Sequence, residues 1–120
     1  MILLDSNIII YLSKRKLSVA DVFSLDATYA VSIVTYMEIF SYVFADKAEE
    51  KFLRDIFSAL KIIDLNREIA EHVTVIRKQR KLKLPDSIIV ATAIAEDAML
   101  LTGDKQLATI DGIRTQLIAV

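Results

Sequence analysis

Four acidic residues, Asp5, Glu38, Asp86 and Asp104, stand where carboxylates are costly or could do chemistry. Asp5 breaks an apolar start, Ile2-Leu3-Leu4, and a second apolar run, Ile8-Ile9-Ile10, follows it at once. A carboxylate flanked by such runs is expensive to bury unless something pairs with it. Gathered in one place, the four would repel each other strongly unless a divalent cation sat among them. Oxygen donors without His or Cys select Mg²⁺ or Mn²⁺ over zinc. The chemistry that uses such sites is hydrolysis of phosphodiesters, with the cation activating water and neutralising charge on the phosphate.

Each acid also has a plainer explanation. Thr35-x-x-Glu38 matches a capping box. Asp86, beside Pro85, suits the positive end of a helix dipole. Asp104, after Gly103, suits an Asx turn. Asp5 is the hardest to explain away. Glu49, Glu50, Asp55, Glu96 and Asp97 read as surface charge.

The elements that must position these acids are short apolar runs alternating with helical patterns. Strands are expected at Ile2–Leu4, Tyr29–Ser32, Lys61–Asp64, Met99–Thr102 and Gln116–Ala119, as continuous apolar stretches suited to a parallel sheet covered on both faces. Helices are expected at Ile33–Phe44, Lys47–Leu60, Arg67–Lys81 and Asp86–Asp97, the last opened by Pro85 and apolar nearly all round. The alternation predicts an α/β fold, a three-layer α/β/α sandwich around a central parallel sheet. Such folds place their sites at the carboxyl ends of the strands. Asp5 closes the first strand, Glu38 follows the second, Asp86 opens the buried helix and Asp104 follows the fourth strand.

Composition narrows the classes. The 120 residues suit one domain spanning the whole chain, with 54% hydrophobic residues and only two Gly and one Pro. Net charge is −1, so any nucleic-acid binding must come from a local patch. The absence of cysteine excludes thiolate chemistry and disulfides and fits a cytoplasmic location. No apolar run is long enough for a membrane span, and the first residues do not read as a signal peptide.

Four segments in register resemble the PIN-domain nucleases, in particular the VapC-type toxins of prokaryotic toxin–antitoxin pairs. They are Leu4-Asp5-Ser6-Asn7-Ile8, Ser32-Ile-Val-Thr35-Tyr-Met-Glu38-Ile39, Leu84-Pro85-Asp86-Ser87 with the apolar run behind it, and Leu101-Thr102-Gly103-Asp104. The resemblance implies strand order 3-2-1-4-5, Mg²⁺- or Mn²⁺-dependent endoribonuclease activity, and a dimer inhibited by a cognate antitoxin protein. It implies Asp5, Glu38, Asp86 and Asp104 as catalytic metal ligands, with Ser6, Asn7 and Thr102 orienting them. Many members carry another acidic or polar residue about three positions beyond the fourth acid. Here that position is Leu107, which leaves one held metal, with a second recruited by substrate, as open as a two-metal arrangement.

Arg77, Lys78, Arg80, Lys81 and Lys83 form a basic run leading into Pro85-Asp86, of which Arg77, Lys78 and Arg80 are candidate RNA contacts. A solvated helix end would look the same. Lys14, Arg15 and Lys16 form a weaker patch. Tyr36, Phe40, Tyr42 and Phe44 load one helix with aromatics, which suggests core packing and, beyond it, a homodimer or partner interface. His72, alone on a polar helix side, reads as a surface residue. Two other classes compete with the nuclease. One is a phosphoacceptor receiver-like domain using Asp5, Asp64 and Lys105, which leaves Glu38 and Asp86 unexplained. The other is a catalytically inactive fold serving as a binding module, against which the presence of all four acids counts.

Overall fold

Residues 1–120 are described by a computed structural model. Five strands, β1 (Ile2–Leu4), β2 (Tyr29–Ser32), β3 (Lys61–Ile63), β4 (Met99–Thr102) and β5 (Thr115–Leu117), form one parallel sheet in the order β3-β2-β1-β4-β5. Each central strand sends alternate side chains to opposite faces, and both faces are dry. Leu3, Ala30 and Leu100 enter one core, whereas Leu4, Val31 and Leu101 enter the other. That is why the strands read as unbroken apolar runs.

Two helical layers cover the sheet. Helices α1 (Ser6–Ser13), α3 (Ile33–Phe40) and α4 (Lys47–Ser58) supply Ile8, Ile9, Leu12, Ile39, Leu53 and Phe57 to one core. Helices α5 (Arg67–Gln79) and α6 (Leu84–Ala95) supply Ile69, Val73, Ile76 and the run Ile88–Ala91 to the other. A short helix α2 (Val19–Val22) is opened by a capping box between Ser18 and Asp21. The expected three-layer architecture and strand order are those observed.

Several expected boundaries move. Helix α1 lies where no element is expected, because Ile8-Ile9-Ile10 continues the apolar character of β1. Asp5 follows β1 directly, as expected, and in addition N-caps α1, accepting a hydrogen bond from the Ser6 amide at 2.8 Å. Helix α3 stops at Phe40 rather than Phe44, with Ser41 as its C-cap. Strand β3 stops one residue short, at Ile63, α4 and α5 each stop two residues early, and α6 spans Leu84–Ala95 instead of Asp86–Asp97. Strand β5 begins at Thr115 and ends at Leu117.

The topology also removes the receiver-like reading. In the flavodoxin-like order the third strand lies beside the first. Here β2 separates them, and Asp64 follows the edge strand β3. No helix is long and apolar enough to cross a membrane.

Candidate active site

The chain runs from β1 outward through β2 to β3, then returns to β4 on the other side of β1. The carboxyl ends of β1 and β4 thus flank a topological switch point, the position where open α/β sheets bind their ligands. Leu4 pairs with Leu101, so the next residue on each chain segment, Asp5 and Thr102, are neighbours at the strand ends. The Asp5 amide donates to the Leu101 carbonyl at 2.9 Å. Its side chain turns back along the same edge, where its Oδ2 accepts from the Thr102 hydroxyl at 2.7 Å.

Asp5 is only 4% exposed. Burial pushes its carboxyl above the ordinary value, the bonds from Thr102 and Ser6 pull it down, and the charges of Asp86 and Asp104 push it up again. Burial dominates, so the site holds this carboxylate at a cost. Asp86 is also raised, first by burial and then by Asp104 and Glu38, with Lys83 acting in the opposite direction. Asp86 therefore senses the other three acids directly or through mutual repulsion with Asp5. All four belong to one electrostatic neighbourhood. Their side chains do not form a closed cage, however, since no three of them stand close enough to chelate a single ion.

Hydrogen bonds tie the acids to the frame. Ser6 Oγ donates to Glu38 Oε1 at 2.8 Å and lies 2.9 Å from Thr35 Oγ1, which leaves Thr35 as donor to Ser6. Thr102 Oγ1 accepts from the Asp104 amide at 3.0 Å while it donates to Asp5, so one hydroxyl links the first and fourth acids. Asn7 Oδ1 accepts from the Gly103 amide at 3.2 Å. Ser6, Asn7 and Thr102 are thus all bonded to the acids or to the loop that carries Asp104.

The plainer explanations fare unevenly. The capping box Thr35-x-x-Glu38 does not form, because Ser32 is the N-cap of α3 and bonds the Val34 amide at 3.1 Å. Thr35, expected only as a cap, is instead fully buried and supports Ser6. The Asx turn does form, with Asp104 Oδ1 accepting from the Gln106 amide at 2.8 Å. Asp86 sits in the first turn of α6, where Lys83 is the N-cap and no side chain caps the helix. The dipole favours its charge there, yet burial and like charges prevail and its carboxyl is raised.

Leu107 is fully buried in the core that β4 and α6 share, so it faces away from the acids and adds no donor. Oxygen donors of this kind, three of them bonded to oriented groups, suit Mg²⁺ or Mn²⁺, and a cation would offset the repulsion felt at Asp5 and Asp86.

Two hollows outside the acidic cluster have distinct linings. Arg77, Arg80, Lys81, Leu82 and Lys83 line a shallow basic one, and none of its cations joins an ion pair. An apolar groove between α1, α3 and α4 is lined by Ile10, Ile39, Tyr42, Val43, Phe44 and Leu53, among others. Tyr36 and Phe40 are spent on the core, with ring centroids 5.8 and 5.0 Å from that of Phe57. The exposed apolar surface instead comes from Met37 and, beyond the early end of α3, from Tyr42 and Val43. His72, expected at the surface, is half-buried on α5 and takes no part in the site, while Lys14, Arg15 and Lys16 are exposed.

A model of the family described as the PIN domain matches residues 2–113. A chain from a toxin–antitoxin complex of Klebsiella pneumoniae is 33% identical, with 98% of this chain and 100% of that chain covered and a TM-score of 0.77. Two further structures share the fold. One is VapBC2 from Rickettsia felis bound to a DNA fragment from its promoter, at 23% identity and TM-score 0.83, covering 98% of this chain and 99% of that one. The other is DNA-bound VapBC from Salmonella typhimurium, at 24% identity and TM-score 0.82, with 96% of each chain covered. No curated protein sequence matches.

Proposed function

The chain belongs to the PIN-domain family, and we propose that it is a metal-dependent endoribonuclease, the VapC-type toxin of a cytoplasmic toxin–antitoxin pair. The observation that carries this reading is the buried Asp5, held at a switch point among three other carboxylates that raise its pKa or that of its neighbour. A fold keeps such a cluster against its own stability where the cluster has work to do.

Asp5, Glu38, Asp86 and Asp104 would hold Mg²⁺ or Mn²⁺, directly or through water. The cation supplies charge neutralisation at the phosphodiester and activates the attacking water. The protein supplies orientation. Thr102 fixes Asp5 and the Asp104 backbone together, Ser6 aims Glu38 with Thr35 behind it, and Asn7 holds the Gly103 peptide. Arg77, Lys78 and Arg80 would grip RNA phosphates near Asp86, since none of the three is engaged in an ion pair.

The similar structures from toxin–antitoxin complexes support an antitoxin partner, and the exposed apolar surface suits a second one. A cognate antitoxin would cover the exposed apolar groove at Tyr42 and Val43, and a second copy of the chain would complete a two-fold dimer. The experiment is cleavage of a mixed RNA pool by purified protein with Mn²⁺, with EDTA, and with each acid replaced by its amide. Metal-dependent cleavage lost in the amide variants is the expected result. RNA left intact by the parent protein with Mn²⁺ would reduce the chain to a PIN-fold binding module.

A further inference from the structure

Gly103 separates Thr102 from Asp104, and its backbone lies outside the left-handed region, so conformation alone does not demand glycine there. Space does. A Cβ on Gly103 would lie 2.8 Å from Tyr11 Cε2 and 3.2 Å from Tyr11 Oη. Tyr11 stands one helical turn after Asn7 on α1, so the two side chains share a face. Asn7 takes the Gly103 amide at 3.2 Å while the Tyr11 ring closes over the α-carbon. The ring packs against the core of α1, α3 and α4, which limits how far it can swing.

We propose that Asn7 and Tyr11 clamp the Gly103 peptide, and that this clamp sets where Asp104 stands relative to Asp5. The adjoining bonds transmit the position. The Asp104 amide rests on Thr102 Oγ1 at 3.0 Å, and the same hydroxyl donates to Asp5 at 2.7 Å. A peptide pushed off the Tyr11 ring therefore moves Asp104 while Asp5, anchored by Ser6 as well, stays. Tyr11 acts as a positioning residue through the loop, and its metal consequence rests on the reading above.

The test is a double-mutant cycle with Gly103→Ala, Tyr11→Ala and the pair together, plus Tyr11→Phe, which keeps the ring edge. The Mn²⁺ concentration giving half of the maximal melting-temperature shift is the primary readout. Gly103→Ala should raise it about tenfold or more, as loss of an orienting partner does at metal sites. Tyr11→Phe should stay close to the parent. The double variant should be no worse than Tyr11→Ala alone, because losing the ring vacates the space the new methyl needs. Melting in EDTA should show the same non-additivity. A parental Mn²⁺ midpoint for Gly103→Ala, or additive effects in the cycle, would overturn the clamp. So would a Tyr11→Phe variant that loses RNA cleavage but keeps the metal shift, since the hydroxyl would then be acting on substrate. If the parent shows no Mn²⁺ shift, the metal reading falls, and the EDTA cycle still decides whether the clamp exists.

Discussion

Replacing Asp5 by Asn separates a structural carboxylate from one kept for a cation. In the absence of metal, burial outweighs the two hydrogen bonds that favour the ionised form, and Asp86 and Asp104 add to the penalty. The amide of the Asp5→Asn variant keeps an acceptor for the Ser6 N–H and loses at most one bond at Thr102, worth about 1 kcal/mol. Removing the charge recovers about 1.4 kcal/mol for each unit by which the carboxyl is raised. In EDTA at neutral pH the variant should therefore melt at the parental temperature or higher, by up to about 5 °C for roughly 1 kcal/mol in a domain of this size. With Mn²⁺ at about 100-fold over its dissociation constant the parent should gain about 2.7 kcal/mol, on the order of 10 °C, and the variant less than about half of that. The pH dependence has a definite sign. A carboxyl raised in the folded state binds more protons there than in the unfolded chain, so its penalty is complete above the raised value and fades as pH falls towards about 4. The advantage of the amide variant in EDTA should shrink accordingly. Calorimetric melts at several pH values, with and without metal, read all of this. A variant less stable than the parent in EDTA at neutral pH, with an unchanged Mn²⁺ gain, would make Asp5 a simple helix cap.

Glu38→Gln, Asp86→Asn and Asp104→Asn should each lower single-turnover RNA cleavage with Mn²⁺ by more than about 100-fold, beyond the usual loss for orienting partners. A parental rate would return that residue to a helix or turn role. Substituting Arg77, Lys78 and Arg80 together by Gln should weaken RNA binding and flatten its salt dependence by about 2 in logarithmic slope, for three lost single-strand phosphate contacts. Filter binding at several salt concentrations measures it. Thr35→Val should cost about 1 kcal/mol by leaving Ser6 without its buried donor, and should also reduce the Mn²⁺-induced melting shift. Without antitoxin, the protein should sediment as a dimer; a clean monomer at high concentration would refute self-association.

The strands β1, β2 and β4 are readable in the sequence because a two-sided apolar run has few alternatives in a chain this short, and their ends place Asp5 and Asp104 at one edge. Helix α1 is not, since three consecutive isoleucines mask the period that marks a helix facing one core. The missing helix hides the N-cap role of Asp5. Thr35 is misread because a capping box is a local pattern, whereas its actual partner, Ser6, lies 29 residues away in sequence. Ser32, directly before the apolar run, is the better local signal for the cap. The end of α3 at Phe40 is equally hidden, because Tyr42 and Val43 continue its apolar character while Val43 is 99% exposed. Apolar residues left exposed are indistinguishable in sequence from apolar residues that enter a core.

The four carboxylates are held with graded firmness, and the grading follows from the elements that carry them. Asp5 is bonded at both oxygens, to Ser6 and Thr102, and is buried at the strand end. Glu38 is bonded once, through an exposed side chain on α3. Asp104 places one oxygen in its own turn. Asp86 has only the helix dipole and Lys83 to offset its neighbours. Like charges repel, and the acids with fewer bonds have more freedom to stand apart from Asp5. No three of the carboxylates converge closely enough to hold one ion by themselves, which is consistent with their mutual repulsion. The backbone at Asp5, Thr102 and Asp104 is tied by bonds along one sheet edge, whereas the side chains of Glu38 and Asp86 are the less firmly held of the four.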